Sequence, residues 1–279
     1  MTTLFDGLFD DAALFPPGNA SMAAAVPAHR ELRERLGRLV GPFVVPAARL
    51  DELSAHLDAG PAFEISLIVA AGDLPAAVRR VEEDPGLTLA AVEVPVVADA
   101  EAAAEAVRAL DEVLPATVPA AVELPRSVAR DEVLDVLAGT RYRAKLRTGG
   151  VRAELFPSVS ELAETLHACV ARDVAFKCTA GLHHAVRYTD PATGFEHHGF
   201  LNVLLAVSAL PAGAPPQIAA ERLLDSDAGG MVAALRTWPP HRSGRARALF
   251  TSFGTCSVLE PVDDLVALGL LPSPDRIPA

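Results

Sequence analysis

Of the 24 lysines and arginines in this chain only two are lysines, Lys145 and Lys177. They lie in the apolar stretches YRAKLRT and VAFKCTA, separated by one helix length of sequence. A compositional preference for arginine accounts for the scarcity of lysine but not for these two positions. An amine attacks a carbonyl only when neutral, and a free lysine has a pKa of about 10.4. Burial and a neighbouring cation both lower that value. A neutral amine can then form a Schiff base, an electron sink for making or breaking a carbon–carbon bond. Carboxylates within reach would move the protons. Two apolar strand-like segments, AAVEVP and AAVELP, supply Glu93 and Glu123 for that task.

Side chains alternate along a strand, which sorts these residues by face. Arg143, Lys145 and Arg147 share one face of YRAKLRT, and Ala175, Lys177 and Thr179 share one face of VAFKCTA. Glu64 and Ser66 align in FEISLIV. The apolar faces must meet helices, so the polar faces point into the interior of a sheet closed on itself. Glu64 and Arg143, early in their strands, read as structural ion-pair partners. Glu93, Glu123, Lys145 and Lys177 lie later, where barrel enzymes place their chemistry.

The segments that must position these residues alternate strand and helix. GPFVVPA, FEISLIVA, LTLAAVEVPV, VPAAVELP, YRAKLRTG, VAFKCTAG and ALFTSFGTCS read as strands, with ALFPP as an eighth. Amphipathic helical segments separate them, among them SVSELAETLHACVARD with Ser158 or Ser160 as N-cap. Such alternation implies parallel pairing, and eight units at this length predict an α/β fold of the (β/α)8 TIM-barrel type. A doubly wound open sheet is the alternative, but no GxGxxG follows the first strand. The predicted organisation is one domain over residues 1–279, with residues 182–248 inserted after the seventh strand. Pro-rich LPAGAPP and TWPPHR in that insertion read as loops. The insertion could serve as a lid or as a contact between copies in a homo-oligomer.

The totals exclude several classes. A net charge of -12 argues against a general nucleic-acid surface. No apolar run is long enough to span a membrane, and the start of the chain lacks the pattern of a signal peptide. Three cysteines without metal-type spacing fit a reducing, cytoplasmic setting. Cys178 reads as core, and Cys256 as a small packed residue. His183, His184, His197 and His198 cluster after the seventh strand, but they match no zinc motif and read as polar loop residues. His183, at the loop root, is the one placed to act as acid or base. Asn202 reads as surface polarity on a helix, with contact to a ligand as the alternative, and Asp10 and Asp11 as a turn or cap, with a site role as the alternative. Neither a metal nor another cofactor is expected.

The order of motifs resembles the deoxyribose-phosphate aldolase family, class I (Schiff-base) aldolases on a TIM barrel. The resemblance is carried by KLRTGG from Lys145, FKCTAGL from Phe176 and FGTCSVLEPVDDLVALG from Phe253, and it covers roughly residues 85 to 270. It implies a lyase in which Lys145 forms the Schiff base and Lys177 is the second amine that depresses its pKa. Glu93 stands near the family's proton-handling aspartate, and Glu123 matches a carboxylate on the fifth strand. Gly181, Gly254 and Ser257 fall where the family binds a substrate phosphate with backbone groups. Arg147 replaces a small polar residue and could hold a carboxylate or phosphate, and Ala180 replaces a glycine. The expected partner is a small carbonyl compound, phosphorylated or carboxylated or neither. The competing readings are a non-covalent enzyme of anionic metabolites (phosphoribosyltransferase or decarboxylase type), metal-dependent hydrolysis through the histidines, and a metabolite-binding protein.

Overall fold

The computed structural model describes residues 4–58, 60–210 and 213–273. Eight parallel strands close into a barrel: β1 (Phe9–Asp11), β2 (Val40–Pro46), β3 (Phe63–Ile68), β4 (Leu87–Val94), β5 (Ala120–Glu123), β6 (Arg143–Arg147), β7 (Phe176–Thr179) and β10 (Phe250–Thr255). Neighbours in the barrel follow chain order, with β10 closing between β7 and β1. A hairpin of β8 (Tyr188–Thr189) and β9 (Glu196–His197) stands apart from it. The chain is a (β/α)8 TIM barrel. The ends of the expected 1–279 domain, and residues 211 and 212 of the LPAGAPP loop, lie outside the described residues.

The outer layer forms for ordinary sequence reasons. Helices α1 (Met22–Leu36), α2 (Leu50–Ser54), α3 (Leu74–Glu82), α4 (Ala100–Val113), α5 (Arg130–Leu137) and α6 (Val159–Ala171) follow the first six strands. In α4 the apolar positions Ala103, Ala106 and Leu110 recur at helical spacing and are fully buried, while Asp99 caps the first turn by accepting from Ala102 N at 3.0 Å. In α6 the cap is Ser158, the first of the two candidates, which forms a reciprocal capping box with Glu161.

The eighth strand lies earlier than expected. Phe9-Asp10-Asp11 pairs with β2 and β10, whereas ALFPP forms turns. Adjacent aspartates are poor strand formers, so their preference is overridden by tertiary partners. Asp10 meets Lys177, and Asp11 Oδ2 meets buried His29 Nδ1 at 2.9 Å. The turn reading is therefore corrected for Asp10; Asp11, though in the strand, also accepts from Ala13 N at 3.0 Å through Oδ1, as a turn residue does. Glu64 is also displaced: it pairs with Arg33 of α1 at 3.0 Å and does not join the interior charges.

The segment after β7 is only partly an insertion. Helix α7 (Phe200–Ser208) is buried from Phe200 to Val207 and packs against α6 and β10, so it fills the ordinary helix position between β7 and β10. The additions are the hairpin, α8 (Gln217–Leu224), α9 (Ala228–Arg236) and α10 (Pro240–Leu249); α11 (Leu259–Ala267) follows β10. Asn202 is not surface polarity. It is fully buried, accepts from Arg187 N, and donates to Arg222 O and Asp225 O, all at 2.8 Å. It ties three separate segments together. Asn202→Leu should therefore cost about 2–5 kcal/mol, since it strands buried backbone groups; urea unfolding monitored by circular dichroism would measure this. No helix among the described residues is long and apolar enough to cross a membrane.

Candidate active site

Strand register fixes the centre of the site. Glu123 on β5 is level with Lys145 on β6, which is level with Lys177 on β7. Alternation then turns all three side chains inward, where β4 contributes Glu93 and β1 contributes Asp10. Each is 5% exposed or less, so every charge needs a partner.

The partners form one chain of ion pairs. Lys177 Nζ contacts Asp10 Oδ2 at 2.6 Å and Glu93 Oε1 at 2.5 Å. The other Glu93 oxygen, Oε2, is 3.2 Å from Lys145 Nζ. Lys145 also meets Glu123 Oε2 at 2.9 Å, and Glu123 Oε1 accepts from Arg147 Nε at 3.0 Å. Ser66 donates to Glu93 at 2.9 Å and Ser252 to Asp10 at 2.8 Å. Three carboxylates thus alternate with three cations, and Glu93 bridges the two amines. Lys145 and Lys177 both turn inward as alternation implied, but Glu93 stands between them, so they do not meet as the directly neighbouring cations that the resemblance implied.

The electrostatics follow from this order. Burial pushes the Glu93 carboxyl up, but the charges of Lys177 and Lys145 and the hydrogen bonds from Lys177 and Ser66 outweigh it and hold its pKa at about 2. Burial pulls Lys177 down, yet Asp10 and Glu93 lift it above the ordinary lysine value. Lys177 is a fixed cation at neutral pH. For Asp10 burial wins over Lys177, and its pKa is raised.

These shifts set an acid limb of stability. The depressed Glu93 value adds stability above its ordinary pKa of 4.5, and this is lost as pH falls through about 2. The contribution is of order 3 kcal/mol. Asp10 works in the opposite sense. Its raised value favours the fold below 3.8 and loses that benefit as pH rises through its folded pKa, so it offsets part of the Glu93 effect. Urea midpoints should fall as pH drops from about 4.5 toward 2, and the fall should be shallower in Glu93→Gln.

At the carboxyl end of the strands lies a cavity of about 360 Å³, within the size range of small-molecule sites. Lys145, Glu93 and Glu123 line it together with Arg147, Thr179, His183 and Gly254. Lys177 does not; it lines a smaller cavity of about 120 Å³ on the amino side, with Asp10, Arg143 and Ser252. Lys145 is thus the amine that faces the mouth, with Lys177 behind Glu93.

Two residues assigned to phosphate binding have other work. Gly181 adopts φ +78°, and a Cβ there would lie 2.5 Å from Thr148 O and 2.7 Å from Gly149 Cα. Glycine is required because the β6 and β7 exits touch, and Gly181 does not line the mouth cavity. Ser257 likewise stays off the lining: its amide donates to Thr255 Oγ1 at 3.4 Å, and its carbonyl accepts from that hydroxyl at 3.1 Å. Ala180, at φ 57°, does line the cavity, and its carbonyl accepts from the buried Thr148 hydroxyl.

The four loop histidines diverge. His183 Nδ1 meets Glu260 Oε2 at 2.8 Å, His184 Nδ1 meets Asp264 at 3.1 Å, His197 Nδ1 donates to Gly181 O at 3.1 Å, and His198 Nε2 donates to Pro157 O at 2.9 Å. Among the described residues no group of three or more His, Cys, Asp or Glu side chains is placed to hold a metal ion. Cys178 is fully buried, and Cys256, whose thiol burial pushes up, lines the mouth.

No protein-family model matches this chain, and no curated protein matches it. The site's own chemistry therefore carries the functional reading. Its distinguishing feature is a single cavity-facing amine flanked by two carboxylates, each already neutralised from its far side.

Proposed function

We propose that the protein is a class I, aldolase-like carbon–carbon lyase in which Lys145 forms a Schiff base with a small carbonyl substrate. The supporting observation is the position of Lys145 Nζ at the floor of the mouth cavity, within 3.2 Å of one carboxylate and 2.9 Å of another. The ammonium first passes a proton to Glu123, because Glu93 is held too acidic by the two lysines to take it. The neutral amine then attacks the carbonyl carbon and the C–N bond forms. The oxygen takes up protons and leaves as water, giving an iminium ion. Cleavage of the adjacent carbon–carbon bond sends its electron pair toward the iminium nitrogen and yields an enamine. A carboxylate removes the proton from the β-hydroxyl as its carbon becomes the released carbonyl. Reprotonation and hydrolysis return Lys145.

Lys177 has a supporting task in this reading. Its fixed charge neutralises Glu93 from behind, so Glu93 is not committed to Lys145 alone. Arg147 does the same for Glu123.

The test is reductive trapping. Incubation with an aldehyde and cyanoborohydride should add one alkyl group at Lys145, located by peptide mass spectrometry. Only Lys145, Lys177 and the N-terminal amine compete, so background is low. A protein that is labelled elsewhere but not at Lys145 would contradict the assignment.

A further inference from the structure

The lining of the mouth cavity specifies what kind of carbonyl compound it would take. We infer that the Lys145 site accepts an uncharged, unphosphorylated aldehyde or ketone with a hydrocarbon body. This inference rests on the imine reading of Lys145, and it adds the substrate class.

Three observations carry it. The walls above the amine are apolar, formed by Phe15, Pro16, Val44, Ile68, Val151 and Leu155. The charges at the floor are already matched: Lys145 and Arg147 lie against Glu93 and Glu123, and Arg147 Nε is committed to Glu123 at 3.0 Å. Among the described lining residues only the Nη groups of Arg147, whose side chain is 34% exposed, are left without an acceptor, so an anion seated deeper than Arg147 has no cation of its own and loses its hydration uncompensated. Finally, the helix N-terminus beyond β10 carries a carboxylate of its own. Glu260 sits in the first turn of α11 and bonds to His183, which lines the cavity, so that rim carries a carboxylate. Gly181 is closed off by the Thr148–Gly149 backbone. An anionic substrate would meet repulsion at the rim and competition at Arg147, whereas a hydrocarbon tail would replace water along apolar walls.

Two paired measurements test this. In the first, hexanal and glyceraldehyde 3-phosphate are each presented with cyanoborohydride, and the Lys145 adduct is normalised to labelling of a free lysine peptide. The expected preference for hexanal is at least roughly tenfold. The second uses carbonyl-free probes, hexan-1-ol and hexyl phosphate, whose binding is read by saturation-transfer NMR with and without the cavity-filling Ile68→Trp substitution. Hexan-1-ol should bind, hexyl phosphate should bind less, and Ile68→Trp should abolish the hexan-1-ol signal. A Lys145 adduct favouring the phosphorylated aldehyde would overturn the substrate class while leaving the imine reading standing. Absence of any Lys145 adduct would remove the imine reading, and the NMR pair then decides the class alone. Preference for hexan-1-ol that is lost on filling the cavity supports an uncharged ligand. Preference for hexyl phosphate, no binding of either probe, or binding indifferent to Ile68→Trp overturns it.

Discussion

Lys145→Met should abolish trapping at the cavity floor and lower turnover of a cleavable carbonyl substrate by about 10³-fold or more, because the electron sink is lost with the nucleophile. The stability effect should be smaller than for other changes in the network. Glu93 keeps Lys177 and Ser66, and Glu123 keeps Arg147, so neither carboxylate is left alone. Lys145→Arg restores the charge without a nucleophile under these conditions, and should recover stability but not trapping. The contrast with Lys177→Met identifies which amine reacts. That change strips Asp10 of its cation and leaves Glu93 with one ammonium, so it should destabilise the protein more. The remaining Lys145 would still be labelled by aldehyde and cyanoborohydride. If Lys177→Met eliminated the adduct while Lys145→Met retained it, the roles assigned to the two lysines would be reversed.

The strands that carry the site were readable because alternation is strict within a pleated segment. RAKLR and FKCT each have one face of core residues and one of polar residues, so Lys145 and Lys177 had to share the interior. Glu93 and Glu123 stood out as single carboxylates in otherwise apolar strands. Asp10 carried no such signal. Its strand is three residues long, it resembles a turn, and its partners Lys177 and Ser252 are 167 and 242 residues away in sequence. Ser66 and Ser252 gave no sign of their roles either, since a serine on an inward face need have no charged partner. Glu64 shares the face of Ser66, yet at the amino end of its strand Arg33 of α1 is close enough to take it. Gly181 shows another limit: glycine permits close approach of either a ligand or another backbone, and only coordinates distinguish the two. Asn202 looked like a surface residue because the sequence does not announce that the segments holding Arg187, Arg222 and Asp225 converge on it.

Glu93 is the residue on which both the fold and the proposed chemistry converge, and Glu93→Gln separates its two contributions. Neutralising it leaves Lys177 with Asp10 alone and Lys145 with Glu123 alone, inside a site where Glu93 itself is 2% exposed. Breaking a buried pair in this way costs about 3–5 kcal/mol, which for a chain of this length lowers Tm by roughly 5–15 °C. Adding Lys177→Met removes one of the uncompensated ammonium groups. The double variant should therefore be less destabilised than the sum of the singles, with a coupling of about 0.5–3 kcal/mol in urea unfolding. Additive losses would mean that Glu93 and Lys177 do not act as a pair. Proton transfer is read separately, at a temperature where the variant is fully folded. Glutamine still hydrogen-bonds Ser66 but carries no charge to hold Lys145, and a carboxylate held at about 2 does not take the proton near neutral pH, so turnover should fall while the pH–rate profile keeps its shape. That result confines Glu93 to holding the two lysines in place and leaves Glu123, 2.9 Å from the Lys145 amine, as the group that moves the proton; a profile that changes shape would overturn this division.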